Sequence, residues 1–374
     1  MFDLNLKNYG YFQFLVCVVL NILGLIFIYS SSNGNIASFR TQLLISIGSM
    51  IMCIVISILN MKWVMSRPSI FLIIATVLLL LVQITGTAFN RNAVRWIEIP
   101  VINMQLQPSE FAKILMILTL SKYIEKMGTQ INQFSNLIKV IGVFAIPFIL
   151  IFIQPNLSSA IILFVIFFAM LFASKLKIEW FALALGGIAL VFLVVFLSVK
   201  FGFIQKLPLL RDYQKNRIIS FFEPSGKSES TYQQENSITA IGSGKLIGKG
   251  INNNLPNSVK NGKWLAESQN DFIFAVVGEE IGFLGSVFIV ILYIYLVVSC
   301  ISIASKQREY YKNLICMGVA SWIGIQGFVN IGVATGLIPN TGVPLPFFSQ
   351  GGSSLMAIYI AMGFVLNIRR EVRI

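Results

Sequence analysis

Three carboxylates stand at the start of one long apolar segment. Asp271 lies at the head of the stretch NDFIFAVVGEEIGFLG, and Glu279 and Glu280 follow it in the same segment. On a helix the glutamates would lie about 12 to 14 Å beyond Asp271, too far to share one proton with it. Because carboxylates in apolar segments are costly, they usually face a protein interior that pairs or uses them. An N-cap is the commonest role of an Asp just before an apolar helix, and a base for acid–base chemistry is the functional alternative that the pattern leaves open for Asp271.

A second charged pair could line a polar cavity. Glu110 and Lys113 are three residues apart, so they share one face of a helix and can form an ion pair. A purely structural pair that holds helices together is the alternative, since breaking a buried pair typically costs about 3 to 5 kcal/mol.

Several chemistries are excluded by residue type. The chain has no histidine, which rules out Ser-His-Asp and Cys-His catalysis and any His-ligated metal site. The glycine-rich stretch IGSGKLIGKG, residues 241–250, lacks the spacing of a phosphate-binding loop and predicts a tight turn. We expect no nucleotide, haem or flavin. The cysteines lie in apolar segments without metal-ligand spacing and are interpreted as core residues: Cys17, Cys53, Cys300 and Cys316.

Membrane helices are the elements that must position these residues. The 374 residues are 56% hydrophobic and 11% charged, with a mean hydropathy of +0.80, whereas a soluble domain is about 25% charged. We predict an all-α polytopic membrane protein with about ten transmembrane helices in a single integral membrane domain, residues 1–374. One long extracytoplasmic loop, 200–270, separates helices 7 and 8. The apolar runs lie near 11–30, 43–59, 69–85, 137–154, 157–173, 178–199, 272–300, 314–334 and 351–368, and a shorter tenth run lies at 111–124.

Basic residues predict the orientation in the membrane. Lys and Arg concentrate in alternate short loops, which places both termini in the cytoplasm. The 200–270 loop also carries ten basic residues, but a loop of this length is translocated largely regardless of charge. Its charge fits an anionic lipid-linked ligand better than nucleic acid, because no soluble basic domain is present to hold one. Residues 211–222 predict an interfacial amphipathic helix, and Arg211, Lys215 and Arg217 would suit a pyrophosphate, with surface anchoring as the alternative.

An uncharged segment rich in glycine and proline, residues 332–354, separates the last two apolar runs. Irregular backbone at membrane depth is tolerated only where it is buried in protein or lines a cavity. The segment is therefore predicted to re-enter the bundle and wall a site.

Five ordered sequence blocks are distinctive: RWIEIPVINMQLQPSEFAK at 95–113, QPNLSSA at 154–160, YQKNRIISFFEP at 213–224, the NDFIFAVVGEEIGFLG block and the 332–354 loop. In these blocks the chain resembles the SEDS family (shape, elongation, division and sporulation), and the resemblance covers essentially its whole length. The GVPLPF form of the last loop and the GKG at 248–250 look more like the elongation members than the division members.

This resemblance implies a peptidoglycan glycosyltransferase that polymerises lipid II outside the bacterial plasma membrane and works with a class B penicillin-binding protein. It implies that Asp271 is the catalytic aspartate and that Glu110 and Lys113 form a polar pair near a membrane cavity. A divalent cation, Mg²⁺ or Mn²⁺, would be its one cofactor, with Glu267 able to bind it or the substrate. Candidates to stabilise the leaving pyrophosphate are Arg91, Arg95, Arg211, Lys215 and Arg217.

Two departures from the family pattern lie close to Asp271. Family members usually read Leu-Pro-Glu-x-His-Thr before the aspartate, whereas this chain reads LAESQN at 265–270, and Gln350 stands where a tyrosine is expected. Either the histidine is dispensable for the chemistry or this loop differs. A flippase of the same lipid-linked precursor and a scaffold that only recruits an enzyme are the competing functions. The absence of an internal repeat weighs against the flippase.

Overall fold

Ten helices of 16 or more residues build the part of the chain that the structure describes, and each coincides with a predicted span. The structure is a computed structural model that describes residues 9–32, 36–85, 95–99, 104–154, 156–201, 203, 215, 229–253, 258, 262, 265 and 268–371. The ten are α1 Tyr11–Ser31, α2 Ile36–Ser57, α4 Pro68–Thr85, α5 Pro108–Met127, α6 Phe134–Ile153, α7 Leu157–Phe172, α8 Ile178–Lys200, α10 Ile273–Ser305, α11 Tyr310–Ala334 and α12 Gly352–Arg370. Two shorter helices are α3 Met61–Val64 and α9 Glu229–Ser243.

The predicted fold class is confirmed. Six of the ten long helices meet the length and hydropathy of a membrane span within the described residues: α1, α2, α6, α10, α11 and α12. The short tenth run is part of the 20-residue helix α5, which begins with Pro108 in its first turn and includes Glu110 and Lys113. The 200–270 loop and the sidedness of the membrane stay predictions.

Helices α5, α11 and α12 form the buried centre of the bundle. Helix α12 packs along α2, α11 packs along α10, and both contact α5. Large apolar side chains on α2, α4 and α8 point outward; Leu44, Ile73 and Leu183 are 70%, 60% and 68% exposed. An apolar outer surface of this extent is what a bundle surrounded by lipid presents.

A short β-hairpin precedes α5, and sequence analysis did not predict it. Strands β1, Ile97–Ile99, and β2, Met104–Leu106, are antiparallel, with Ile97 opposite Leu106. The Ser353 hydroxyl, at the start of α12, donates to the carbonyl of Gln105 at 2.8 Å and accepts from the amide of Gln107 at 2.9 Å. The hairpin is thus fastened to the beginning of α12. We call this end of the bundle, where α10 also begins, the Asp271 end.

Helix α10 is broken at Gly282, and a distant segment repairs the break. Gly282 has φ +67° and ψ −163°, so the helical bonds from residues 283 and 284 back to residues 279 and 280 are lost. Residues 244–250, which we call the brace segment, supply a donor for each carbonyl and an acceptor for each amide that has lost its helical partner. The amides of Lys249 and Gly250 donate to the carbonyls of 279 and 280 at 2.9 and 3.0 Å, and the amides of 283 and 284 donate to the carbonyls of 245 and 246 at 2.9 and 3.1 Å.

Glu279 and Glu280 of α10 lie at the break and form hydrogen bonds to the brace segment and to residues close to it. Both are 1% exposed. Glu279 pairs with Lys249 at 2.7 Å, and Glu280 accepts from the amide of Asn252 at 3.2 Å and from the Ser30 hydroxyl. The carboxylates that the sequence places deep in α10 therefore hold the break together. In the stretch 241–250, where a tight turn is predicted, residues 241–243 end α9 and residues 244–247 form a turn. Gly244 and Gly248 of this stretch fit the close approach of two backbones.

Replacing Gly248 with alanine is expected to destabilise the protein more than the same change at Gly250. Both glycines have positive φ, +82° and +96°, so both alanines are strained. Only at Gly248 would the new Cβ lie 2.2 Å from the carbonyl oxygen of Glu280, whereas Gly250 faces open space. We expect Gly248→Ala to cost about 1 to 3 kcal/mol more than Gly250→Ala, as overpacking usually does. Thermal unfolding in detergent measures the difference; equal midpoints would contradict the brace.

Candidate functional site

The segment between α11 and α12 enters the bundle as predicted. Of its residues, Leu345, Phe347 and Phe348 are 1 to 2% exposed. We call residues 341–350 the inserted loop. Its backbone is irregular, with φ +70° at Gly342 and φ +61° at Phe347, so few of its carbonyls bond within the loop. A buried carbonyl without a donor is costly.

Side chains from five helices supply the missing donors; one of them is the Ser158 hydroxyl of α7, which donates to the carbonyl of Thr341. They are polar residues within otherwise apolar helices, which is the arrangement that irregular backbone needs at membrane depth. The Tyr293 hydroxyl donates to the carbonyl of Pro346. Amides donate to the other carbonyls: Asn21 to Phe347 at 3.0 Å, Gln42 to Ser349 at 3.5 Å, Gln326 to Pro344 at 2.9 Å and Asn330 to Val343 at 2.7 Å.

Asp271 lies next to this loop at the start of α10. Its side chain has intermediate exposure. The N-cap of α10 is Phe272, and no side chain caps the helix through a hydrogen bond, so the reading of Asp271 as the N-cap is wrong. A Cβ built on Gly342 would lie 3.3 Å from Asp271 Oδ2. The carboxylate therefore faces Gly342, which is the glycine of the inserted loop and has no side chain to fill the space.

The main chain around Asp271 is bonded to the inserted loop and to α11. The amide of Gln350 donates to the carbonyl of Gln269 at 3.0 Å, and the Ser349 hydroxyl donates to the carbonyl of Asn270 at 2.7 Å. The side-chain amide of Asn330 donates to the carbonyl of Asp271 at 2.9 Å. Three consecutive carbonyls are thus fixed, and Gln350, one of the two departures from the family pattern, contributes through its backbone.

The predicted pair of Glu110 and Lys113 is formed and buried. Lys113 Nζ lies 2.8 Å from Glu110 Oε1, and the side chains are 0% and 4% exposed. Lys113 also donates to Gln326 Oε1 at 3.1 Å and lies 4.8 Å from the centre of the Trp322 ring. Trp322 Nε1 donates to the same Gln326 oxygen at 2.6 Å. The pair is part of a network whose other end, Gln326 Nε2, is bonded to the inserted loop.

The structure describes only some of the remaining candidates. Lys215 is buried and Arg95 is half-buried. Four residues and most of the predicted interfacial helix lie outside the described residues: Arg91, Arg211, Arg217, Glu267 and the rest of 211–222. Among the described residues, no three or more Asp, Glu or Cys side chains group to hold a metal. The pyrophosphate-binding residues stay predictions.

Sequence reasoning missed the two amides on α11. Gln326 and Asn330 are 1% exposed and four residues apart, so they lie on one face of the helix. The signal was present in WIGIQGFVNIG, where two amides interrupt an apolar run. Their role could not be derived from the sequence because their partners are main-chain carbonyls, which no residue type reveals.

This architecture defines a polytopic helical membrane protein with a carboxylate at one end of the bundle, beside a buried re-entrant loop. The family model described as "Cell cycle protein", that of FtsW, RodA and SpoVE, matches residues 11–374. The chain therefore belongs to this family, which confirms the resemblance found in the sequence blocks.

Individual relatives cover nearly the whole chain. The stage V sporulation protein E of Bacillus subtilis is 33% identical over 372 residues, 96% of either protein. A protein of Haemophilus influenzae named probable peptidoglycan glycosyltransferase FtsW is 31% identical over 379 residues, covering 96% of this chain and 90% of its own.

Solved structures share the fold. A chain from a study of structural coordination of polymerization and crosslinking by a peptidoglycan synthase complex superposes with a TM-score of 0.79 at 25% identity over 98% of both chains. The rod shape determining protein RodA of Thermus thermophilus has a TM-score of 0.72 at 23% identity, covering 98% of this chain and 99% of that one.

Proposed function

We propose that this chain is a peptidoglycan glycosyltransferase that polymerises lipid II into glycan strands at the outer face of the bacterial plasma membrane. The placement of Asp271 carries the proposal: a partly exposed carboxylate, fixed through its main chain, stands at one end of a membrane bundle. Family membership supports it, since relatives covering most of the chain are named probable peptidoglycan glycosyltransferases.

The chemistry needs one base and one site for departing charge. A sugar 4-hydroxyl attacks an anomeric carbon, and the new C–O bond forms as the bond to undecaprenyl pyrophosphate breaks. Asp271 takes the hydroxyl proton, which makes the oxygen a better nucleophile. The pyrophosphate leaves with the bonding electrons, and nearby cationic side chains stabilise its charge. The proposed cations are Arg91, Arg95, Arg211, Lys215 and Arg217.

A divalent cation is proposed only as an ion that binds together with the pyrophosphate of the substrate. Mg²⁺ commonly binds through one or two carboxylates together with substrate phosphates, and the described residues offer no cluster that would hold a metal by themselves. Glu267 is the carboxylate that would share it with the pyrophosphate. No step above depends on the cation.

The proposed orientation puts the Asp271 end and the 200–270 loop outside the plasma membrane and both termini in the cytoplasm. The basic short loops of the sequence support this orientation. The proposed partner is a class B penicillin-binding protein that cross-links the new strands. The similarity to a chain studied in a peptidoglycan synthase complex supports such an assembly.

An assay with purified full-length protein and labelled lipid II in detergent tests the function. The chain is assayed alone and with its cognate penicillin-binding protein, whose cross-linking site is blocked by a β-lactam. A ladder of glycan strands supports the polymerase. A flippase or a scaffold makes no polymer in a single compartment, so unchanged lipid II under both conditions rejects the proposal.

The proposed cellular process is elongation, on the basis of the GVPLPF and GKG motifs. Division is the second candidate, because several relatives are named FtsW. Depletion in the native bacterium separates them: round cells indicate elongation, and filaments indicate division.

A further inference from the structure

The side chain of Asn330 joins Asp271 to the inserted loop. Its Nδ2 donates to the carbonyl of Asp271 at 2.9 Å and to the carbonyl of Val343 at 2.7 Å. The residue before Val343 is Gly342, whose Cα is where an added methyl would meet the Asp271 carboxylate at 3.3 Å. The Asn330 amide is therefore bonded both to Asp271 and to the part of the loop that faces it, whereas the direct bonds from Gln350 and Ser349 go to the carbonyls of residues 269 and 270.

Asn330 is itself held in place by burial and by its neighbour on α11. It is 1% exposed, and its helix is packed between α10 and α5. One turn earlier, Gln326 donates to the carbonyl of Pro344 and accepts from Lys113. The two amides bond consecutive loop carbonyls, so the loop cannot shift relative to α11 without breaking both.

We propose that Asn330 is a positioning residue for glycan polymerisation: it fixes Asp271 against Gly342 and so sets where the acceptor hydroxyl meets the base. The inference rests on the proposed function of Asp271. Positioning acts on the rate at saturating substrate, because a misplacement of about 1 Å in the reacting groups can cost about 100-fold in rate. The two hydrogen bonds that Asn330 donates go to main-chain carbonyls and to none of the proposed substrate-binding cations, so substrate affinity is expected to change little.

The chain offers a matched control at the other end of the bundle. Asn367 on α12 is also fully buried, and its Nδ2 also donates to two main-chain carbonyls, those of Ile56 at 2.9 Å and Leu59 at 2.6 Å. In both asparagines the Oδ1 has no hydrogen-bond partner among the described residues. Asn367 lies fifteen residues beyond Gly352, about 22 Å along α12 from the Asp271 end. Truncating either residue removes two hydrogen bonds from a buried side-chain amide to main-chain carbonyls, but only Asn330 is bonded to Asp271.

The experiment compares Asn330→Ala with Asn367→Ala in full-length protein with its penicillin-binding partner. We expect both variants to unfold at lower temperature by similar amounts. Per folded molecule, Asn330→Ala should lose about 10- to 100-fold in the rate of strand formation at saturating lipid II. The lipid II concentration for half-maximal rate should stay within about threefold, and Asn367→Ala should keep its rate within about twofold.

Each outcome tests either the positioning role of Asn330 or the proposed function of Asp271. If Asn330→Ala polymerises like Asn367→Ala, or if it loses affinity rather than rate, Asn330 does not position the base and the proposed function stands. If Asp271→Asn keeps wild-type turnover, the proposed function of Asp271 fails and this inference fails with it. Should either alanine variant not fold, the pair Asn330→Ser and Asn367→Ser retains one donor at each site and is compared in the same way.

Discussion

Asp271→Asn will abolish strand formation while leaving the protein folded. The amide has the shape of the carboxylate but cannot accept a proton at neutral pH, and general-base catalysis contributes typically about 10²- to 10⁴-fold to a rate. The N-cap of α10 is Phe272, and the carbonyl of Asp271, not its carboxylate, accepts the bond from Asn330. The substitution therefore removes the base and keeps the main-chain bonds that hold this end of α10.

Polymerisation of labelled lipid II measures the loss. Glu235→Gln is the matched control, because it also neutralises a carboxylate but on an exposed position of α9. Both variants should elute as monodisperse protein and unfold near the wild-type temperature. Wild-type turnover by Asp271→Asn would exclude Asp271 as the base, and loss of activity in both variants would show that general charge, not this carboxylate, matters.

Lys113→Met will cause the largest loss of stability among single substitutions of the described ion pairs. Lys113 is the partner of a carboxylate with 4% exposure. Removing it leaves that carboxylate buried without its cation, which typically costs about 3 to 5 kcal/mol. The loss should spread to the inserted loop, because Gln326 loses one of the two donors to its side-chain oxygen.

Lys122→Met is the control on the same helix. Lys122 and Glu125 are also three residues apart and 2.6 Å from each other, but their side chains are 25% and 28% exposed. Pairs with this access to solvent are worth about 0 to 1 kcal/mol. Thermal unfolding in detergent compares the two variants. The double change Glu110→Gln with Lys113→Met should recover part of the loss, and a Lys113→Met protein as stable as Lys122→Met would contradict the buried pair.

Much of this architecture follows from residue pattern. Apolar runs locate the ten long helices, because hydropathy and length are local properties. The spacing of Glu110 and Lys113 predicts their pair, and an uncharged run of glycine and proline predicts the inserted loop. Asp271 itself stands out as an acid at the edge of an apolar helix. Each of these inferences requires only neighbours in the chain.

The missed features depend on contacts between distant segments. The brace joins residues 245–250 to residues 279–284, and the amide of Asn330 joins two carbonyls 72 residues apart, those of 271 and 343. Main-chain partners carry no residue signature, so a sequence shows the amide but not what it bonds. For the same reason the sequence shows Glu279 and Glu280 as carboxylates within an apolar segment but does not show their partners, which are Lys249, Ser30 and the amide of Asn252.

The break at Gly282 separates the first part of α10 from the rest of the helix, so the first part can rotate about this point. Residues 273–281 form a helix of two and a half turns, too short to be stable without tertiary contacts, and the brace grips it at the end opposite Asp271. Gly282 and Asp271 are eleven residues apart, about 16 Å at 1.5 Å per residue. A rotation of the short helix by about 10° about Gly282 would therefore displace Asp271 by about 3 Å. Substitutions that loosen residues 244–250 are therefore expected to strain, from about 16 Å away, the hydrogen bonds that fix the main chain around Asp271 to Asn330 and to the inserted loop.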